Sequence, residues 1–301
     1  EGKDLPKNLP EDVVALQQPL DKTYLVSTSV MDLIRQLDCI SYIRLSGSKA
    51  KDWYITEAKE AIEAGNMIYA GKYSAPDYEC ILNEGCNLAI ENTMIYHTPE
   101  VKEKLEELGI PVLVERSSYE THPLGRLEWI KLYGLLFDAL DEANAYFDSQ
   151  VEQITPLLDQ ANTGKTVAFF SVNSSGAINV RKPGDYITQM ITMAGGNYAL
   201  ADVVPEEENA LSTMNMQMED FYNAAQSADI LIYNSAIEGE ITSIDELLAK
   251  NSLFAQFDAV KKGNVYCTGK NFFQESTGMA EFVEDMHNVL GDADADLTYL
   301  K

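Results

Sequence analysis

Five cationic side chains stand just beyond short apolar runs of this chain: Lys72, Arg116, Arg181, Lys182 and Lys270. Their company is aromatic and polar, with Tyr73, Tyr96, Tyr119, Phe272 and Phe273, and with Asn92, Asn173 and His122 in the same stretches. An arginine fork grips a carboxylate through two parallel hydrogen bonds, and flat rings offer apolar walls. Those residue types together read as a binding pocket for an anionic ligand. No constellation for catalysis accompanies them: the GxSxG elbow, HExxH and the GxxxxGK[ST] phosphate loop are all absent, so no catalytic residue is assigned. His97 and His122, with Glu120 as a third candidate, have the chemistry of a metal set. A hydrogen-bonded loop histidine is the commoner fate, and His287 in the amphipathic tail 279–290 reads as structural. No metal ligand and no resident cofactor is assigned. Cys39, Cys80, Cys86 and Cys267 lack CxxC spacing and read as small buried thiols, with Cys80 and Cys86 weakly suggestive of a pair.

The elements that must hold those residues alternate. Residues 87–93 read as a short buried strand ending in Asn92, and residues 229–235 repeat the pattern of polar entry, apolar run and Asn. A helical stretch led by a carboxylate precedes each, with Glu79 before the first and Glu219 before the second. Charged helical segments follow, 101–108 and 253–262, and then further strands at 109–114 and 263–266. Strands are also expected at 67–70 and 167–171. Helices alternating with short strands predict an α/β fold: two similar αβ lobes with mainly parallel sheets covered by helices. Ligands of such sheets sit beyond the carboxyl ends of the strands, which is where the cationic and aromatic residues fall.

Between the halves, residues 124–162 read as one very long helix. Leu127, Ile130, Leu135, Leu140, Ala143, Phe147, Val151, Ile154 and Leu158 recur near one helical face. Two helices broken near Gly134 or at Phe137–Asp138 are the alternative. The expected organisation is a tether over 1–21, an N-terminal αβ lobe over 22–123, the linking helix over 124–162, and a C-terminal αβ lobe with a terminal helix over 163–301.

Length and charge narrow the function. With 301 residues the chain fits two lobes. A formal net charge of −26 repels phosphate backbones and anionic lipid, so neither nucleic acid nor direct membrane adsorption is expected. No run of 18 apolar residues spans a bilayer. The polar start, with Pro6, Pro10 and Pro19, is what a tether or a chain cut from a precursor would show. Glu206, Glu207 and Glu208 read as a solvated charge run.

The stretches 91–99, 109–114 and 119–130, with two αβ lobes and a long helix between, resemble the class III substrate-binding proteins of ABC importers. This is the iron-siderophore, haem and cobalamin group. The resemblance runs from about Ile40 to Leu290. It implies a non-enzymatic, extracytoplasmic protein, with or without a lipid anchor, that captures a ferric siderophore, haem or corrinoid between two lobes and delivers it to a membrane permease. It also implies that one surface glutamate of each lobe meets the permease, and Glu79 and Glu219 match those by position. The ligand-binding candidates are Lys72, Tyr73, Asn92, Tyr96, Arg116, Tyr119, His122, Asn173, Arg181, Lys270 and Phe272, placed by strand-end position alone. Ser117, Ser118, Asn173, Ser174 and Ser175 keep a small oxyanion such as molybdate open, and a free metal ion stays beside it as ligand. The reading from a different class is a metal-cluster oxidoreductase subunit.

Overall fold

A computed structural model describes residues 8–10, 13–204, 212–236 and 238–301. The acidic run 206–208 lies outside the described residues, as does much of the expected tether. The chain divides into two compact units: Glu1–Arg116 with Glu128–Phe147 and Gln274–Ser276, and Ser117–Leu127 with Asp148–Phe273 and Thr277–Lys301.

The first unit is built on β1 (Thr23–Leu25), α1 (Thr28–Gln36), β2 (Ile43–Ser46), α2 (Thr56–Glu63), β3 (Ile68–Tyr69), the short hairpin β4 (Gly71–Lys72) and β5 (Ala75–Pro76), α3 (Tyr78–Asn83), β6 (Leu88–Glu91), α4 (Pro99–Glu107) and β7 (Val112–Val114). Its sheet is wholly parallel in the order β3-β2-β1-β6-β7. Strands buried on both faces need continuous apolar runs, and β1 and β6 are buried at every position. One face packs Tyr24, Val26, Leu45 and Ala89 against Ile81, Ile95, Val101 and Leu105 of the covering helices.

The second unit follows α5 (Pro123–Leu136) and α6 (Leu140–Leu158). It holds β8 (Thr166–Val172), β9 (Ile178–Arg181), α7 (Tyr186–Met193), β10 (Asn197–Tyr198), β11 (Thr213–Met216), α8 (Met218–Ala225), β12 (Ile230–Tyr233), α9 (Ile244–Lys250), α10 (Asp258–Lys262), β13 (Val265–Cys267) and α11 (Met279–Leu290). The sheet order is β11-β9-β8-β12-β13, with β10 also pairing β8. Here β8, β10, β12 and β13 are parallel, whereas β9 runs antiparallel to both its neighbours, β8 and β11. Stacked rings fill the core: Phe170 contacts Phe221, Tyr233 and Phe254 at centroid distances of 4.9, 5.7 and 5.3 Å.

The internal repeat is visible in the pairing. β6 lies between β1 and β7, and β12 between β8 and β13. The residue before each of these strands ties down its neighbour: Asn87 Oδ1 accepts from the amide of Lys22, and Asp229 Oδ2 accepts from that of Thr166. The Asn after each strand closes a turn, Asn92 accepting from the Met94 amide and Asn234 from that of Ala236.

The continuous helix expected over 124–162 is replaced by two helices that part at Phe137–Asp138. Asp138 takes a left-handed conformation, φ 60°, which a single Asp tolerates but a helix cannot contain. The Gln18 side-chain amide donates to the carbonyls of Leu135 and Leu136, satisfying groups that the end of α5 leaves open. Gly134 has no room for a side chain, since an added Cβ would stand 2.6 Å from Ala143 Cβ and 2.7 Å from Ala139 O. The apolar face shifts accordingly. Leu127, Ile130, Ala143 and Ile154 are buried as expected, but Leu135, Leu140 and Leu158 are exposed, while Tyr133 and Phe137 are buried.

Candidate ligand-binding site

In the first unit the strand order reverses between β1 and β6, because the chain leaves β1 toward β2 and leaves β6 toward β7. Such a switch point opens a crevice outside the carboxyl edge. Ser27 follows β1 there, and Asn92 follows β6 and caps the single 3₁₀ turn Thr93–His97. That turn presents Met94 at 44% exposure and Tyr96 at 53%. Beyond β7, Arg116 is exposed. Beyond β3, the hairpin β4–β5 carries exposed Lys72, while the half-buried Tyr73 packs on the core cluster. Five of the sequence candidates, Lys72, Tyr73, Asn92, Tyr96 and Arg116, therefore stand at the carboxyl edge of one sheet.

The same edge holds residues that sequence reasoning passed over. Lys49, beyond β2, lies 5.3 Å from the centroid of the Tyr69 ring at the end of β3, adding a cation over an aromatic face. Ser27 Oγ donates to Glu115 Oε2 at 3.2 Å, and Glu115 is 2% exposed. Glu91, the last residue of β6, is wholly buried, and neither carboxyl oxygen has a hydrogen-bond partner. Burial pushes its pKa up to about 8, because a charge without a partner is poorly tolerated away from water. The signal was present in the run itself: Glu91 directly continues the apolar segment 88–90 of a strand buried at every position, where an apolar residue is called for.

In the second unit the outcome is mixed. Asn173 Oδ1 accepts from the amides of Ser175 and Ala177 and from Ser175 Oγ, so the side chain builds the β8–β9 turn. That turn reverses the chain, and Arg181 pairs opposite Thr213 on an antiparallel strand, with its neighbour Val180 opposite Phe170. The reading of Arg181 and Lys182 as carboxyl-edge residues is therefore corrected, since β9 carries them back toward the amino end of β8. Phe272 is half-buried, its ring 4.6 Å from that of Phe282 and 5.6 Å from that of Tyr299. Lys270 is exposed after β13, with its amide bonded to Glu240. His122 Nδ1 accepts from the Leu124 amide and so helps start α5, with Tyr119 half-buried upstream. His287 Nδ1 lies 3.2 Å from the Ala194 carbonyl, a structural contact as expected.

Among the described residues no three His, Cys, Asp or Glu side chains gather as metal ligands. All four cysteines are unbridged, Cys39 and Cys267 buried and Cys80 and Cys86 half-buried. Burial raises the Cys86 thiol to about 11, which keeps it protonated and unreactive. Glu79 and Glu219 are exposed, and each is the second residue of its helix, α3 and α8.

The family described as periplasmic binding protein matches residues 45–272. An uncharacterized lipoprotein of Methanocaldococcus jannaschii is 22% identical over 89% of this chain and 64% of its own length. A second lipoprotein of that organism is 26% identical over 80% of this chain and 63% of its own. The chain thus spans just under two thirds of these relatives. Among solved structures, a periplasmic haem-binding protein of Vibrio cholerae shares the fold with a TM-score of 0.69 at 16% identity, covering 87% of this chain and 96% of that one. A protein of the Fe3+-hydroxamate transport system of Saccharomonospora viridis gives 0.69 at 18%, with coverages of 90% and 93%. The molybdate-binding protein of Haemophilus influenzae, with molybdate bound, gives 0.72 at 13%, with coverages of 92% and 88%.

Proposed function

We propose, for a chain that belongs to the periplasmic binding protein family, that it is the extracytoplasmic substrate-binding component of an ABC importer whose ligand is an iron complex, ferric siderophore or haem, or a corrinoid. The observation that carries the ligand class is the carboxyl edge of the first unit's sheet. There Tyr69 and Tyr96 are exposed at 38% and 53%, at the edge that also carries Lys49, Lys72 and Arg116, on a chain whose net charge is −26. Rings in the open favour a large conjugated or catecholate ligand, and cations set among them favour acidic groups on it. The relatives named as lipoproteins support a lipid anchor for this protein too.

Binding alone suffices for such a role. Family members are binding proteins, and affinity comes from side chains already held in place by the sheet, which limits the ordering cost of capture. Delivery falls to Glu79 and Glu219. Both open a helix, where the dipole stabilises a negative charge, and both occupy the same place in the repeat. Such carboxylates suit cationic side chains on the permease. The double variant Glu79→Ala, Glu219→Ala is expected to bind ligand as the wild type does while uptake in cells falls at least tenfold, measured with radiolabelled iron or cobalt. Full uptake by that variant would remove the docking role.

A further inference from the structure

In the second unit two arginines converge on one tyrosine ring, apart from the strand-end loops considered above. The guanidinium of Arg126, in the first turn of α5, lies 4.3 Å from the Tyr186 ring centroid, and that of Arg181 lies 5.3 Å from the same centroid. Arg181 is committed. Its Nη1 is 3.6 Å from Asp185 Oδ2 and 3.4 Å from Ser212 Oγ, and Tyr198 bonds its carbonyl. Arg126 is not. It is 8% exposed, yet its guanidinium makes no hydrogen bond or close ion pair with any described residue, its contacts being the Tyr186 ring and the field of Asp185.

A guanidinium carries five N–H donors, and a largely buried one is ordinarily matched by acceptors. The nitrogens of Arg126 are not among the sealed, partnerless side-chain atoms of the described residues. The charges are also uneven. Two guanidinium groups share the single carboxylate of Asp185, which is itself 3% exposed at the side chain and turned to the Ile187 amide as the cap of α7. Among the described residues that leaves one positive charge over.

We infer that Arg126, with Arg181 and Tyr186, is a receiving site for one carboxylate group of a small molecule. A single negative charge balances the surplus, whereas a doubly charged tetrahedral oxyanion would leave a negative excess inside a protein already strongly acidic. The fork of Arg126 matches a planar carboxylate with two parallel hydrogen bonds, and the Tyr186 ring, 4.3 Å away, backs it. The site stands on its own geometry and holds whichever metal complex the protein carries.

The test is the melting midpoint of the full chain in sodium benzoate, sodium phosphate and sodium chloride at equal ionic strength. Benzoate is expected to raise the midpoint over chloride by roughly 3 °C at tenfold its Kd. Arg126→Gln should abolish that rise, and Arg126→Lys, which keeps the charge and loses the fork, should reduce it. The inference is overturned if benzoate leaves the wild type unshifted, or if either variant keeps the full shift. It is equally overturned if phosphate alone gives a shift that Arg126→Gln removes. Should Arg126→Gln fail to fold, the wild-type comparison and the Lys variant decide.

Discussion

Glu91 is the residue whose chemistry departs furthest from its type. Its folded pKa is raised by burial from an ordinary 4.5 to about 8. Below pH 4.5 both folded and unfolded chains hold the proton, and the group has no effect on stability. As pH rises above that, the unfolded chain ionises while the folded one does not, so stability falls until about pH 8 and then levels off. At pH 7 the penalty is about 3 kcal/mol, from ~1.4 kcal/mol per unit. Glu91→Gln is therefore expected to match the wild type at pH 4.5 and to exceed it progressively toward pH 8 in urea titrations; a constant difference across that range would mean that Glu91 is ionised in the fold. Asp285 shows the opposite economy. Its buried carboxylate accepts from the amides of Thr298, Tyr299 and Leu300, which pins residues 298–300 beside α11. Asp285→Asn is expected to lower stability by about 2–4 kcal/mol, and an unmoved urea midpoint would show the anchor to be dispensable. The role of Asp285 was not legible beforehand, since an acid in a helix looks alike in sequence whether it is solvated or bonded to a distant backbone. Arg116 and Lys72 were legible because they follow apolar runs directly, and for them position along the chain is position at the sheet edge.

The helices and strands divide in the same way. The tail helix fell on its expected residues, 279–290, because its apolar spacing is local. The break between α5 and α6 was legible only as the alternative to a continuous helix, since it depends on contacts distant in sequence: Gln18 on the carbonyls of Leu135 and Leu136, and the Tyr42 ring 5.2 Å from that of Phe137. A 3.6-residue pattern runs across a break without registering it, and here it placed Leu135, 58% exposed, on the buried face. Gly134→Ala is expected to destabilise by about 1–3 kcal/mol through the clash with Ala139 and Ala143, whereas Leu135→Ala should move stability by less than about 0.5 kcal/mol. The reverse ranking in thermal melts would restore the continuous helix. The β8–β9 hairpin was missed for a related reason. Asn173 and Gly176 (φ 83°) were visible as turn formers, but a turn residue does not tell whether the chain goes on to a helix or doubles back.

At the scale of the molecule, the duplicated αβ plan could be read from sequence because each unit repeats a local motif of carboxylate-led helix, apolar strand and Asn. Ligand identity could not, because it resides in loops whose side chains owe their positions to the whole sheet. Excess negative charge sharpens the ligand argument: in a chain of −26, cations clustered with open tyrosines at one sheet edge stand out against a field that repels anions elsewhere. The most direct measurement is the melting midpoint of the purified chain titrated with haem, cobalamin, several ferric siderophores and molybdate. One iron complex or the corrinoid is expected to raise the midpoint in a saturable way, since a ligand that binds only the folded state stabilises it by mass action. A rise with molybdate alone, or with none of them, would contradict the account.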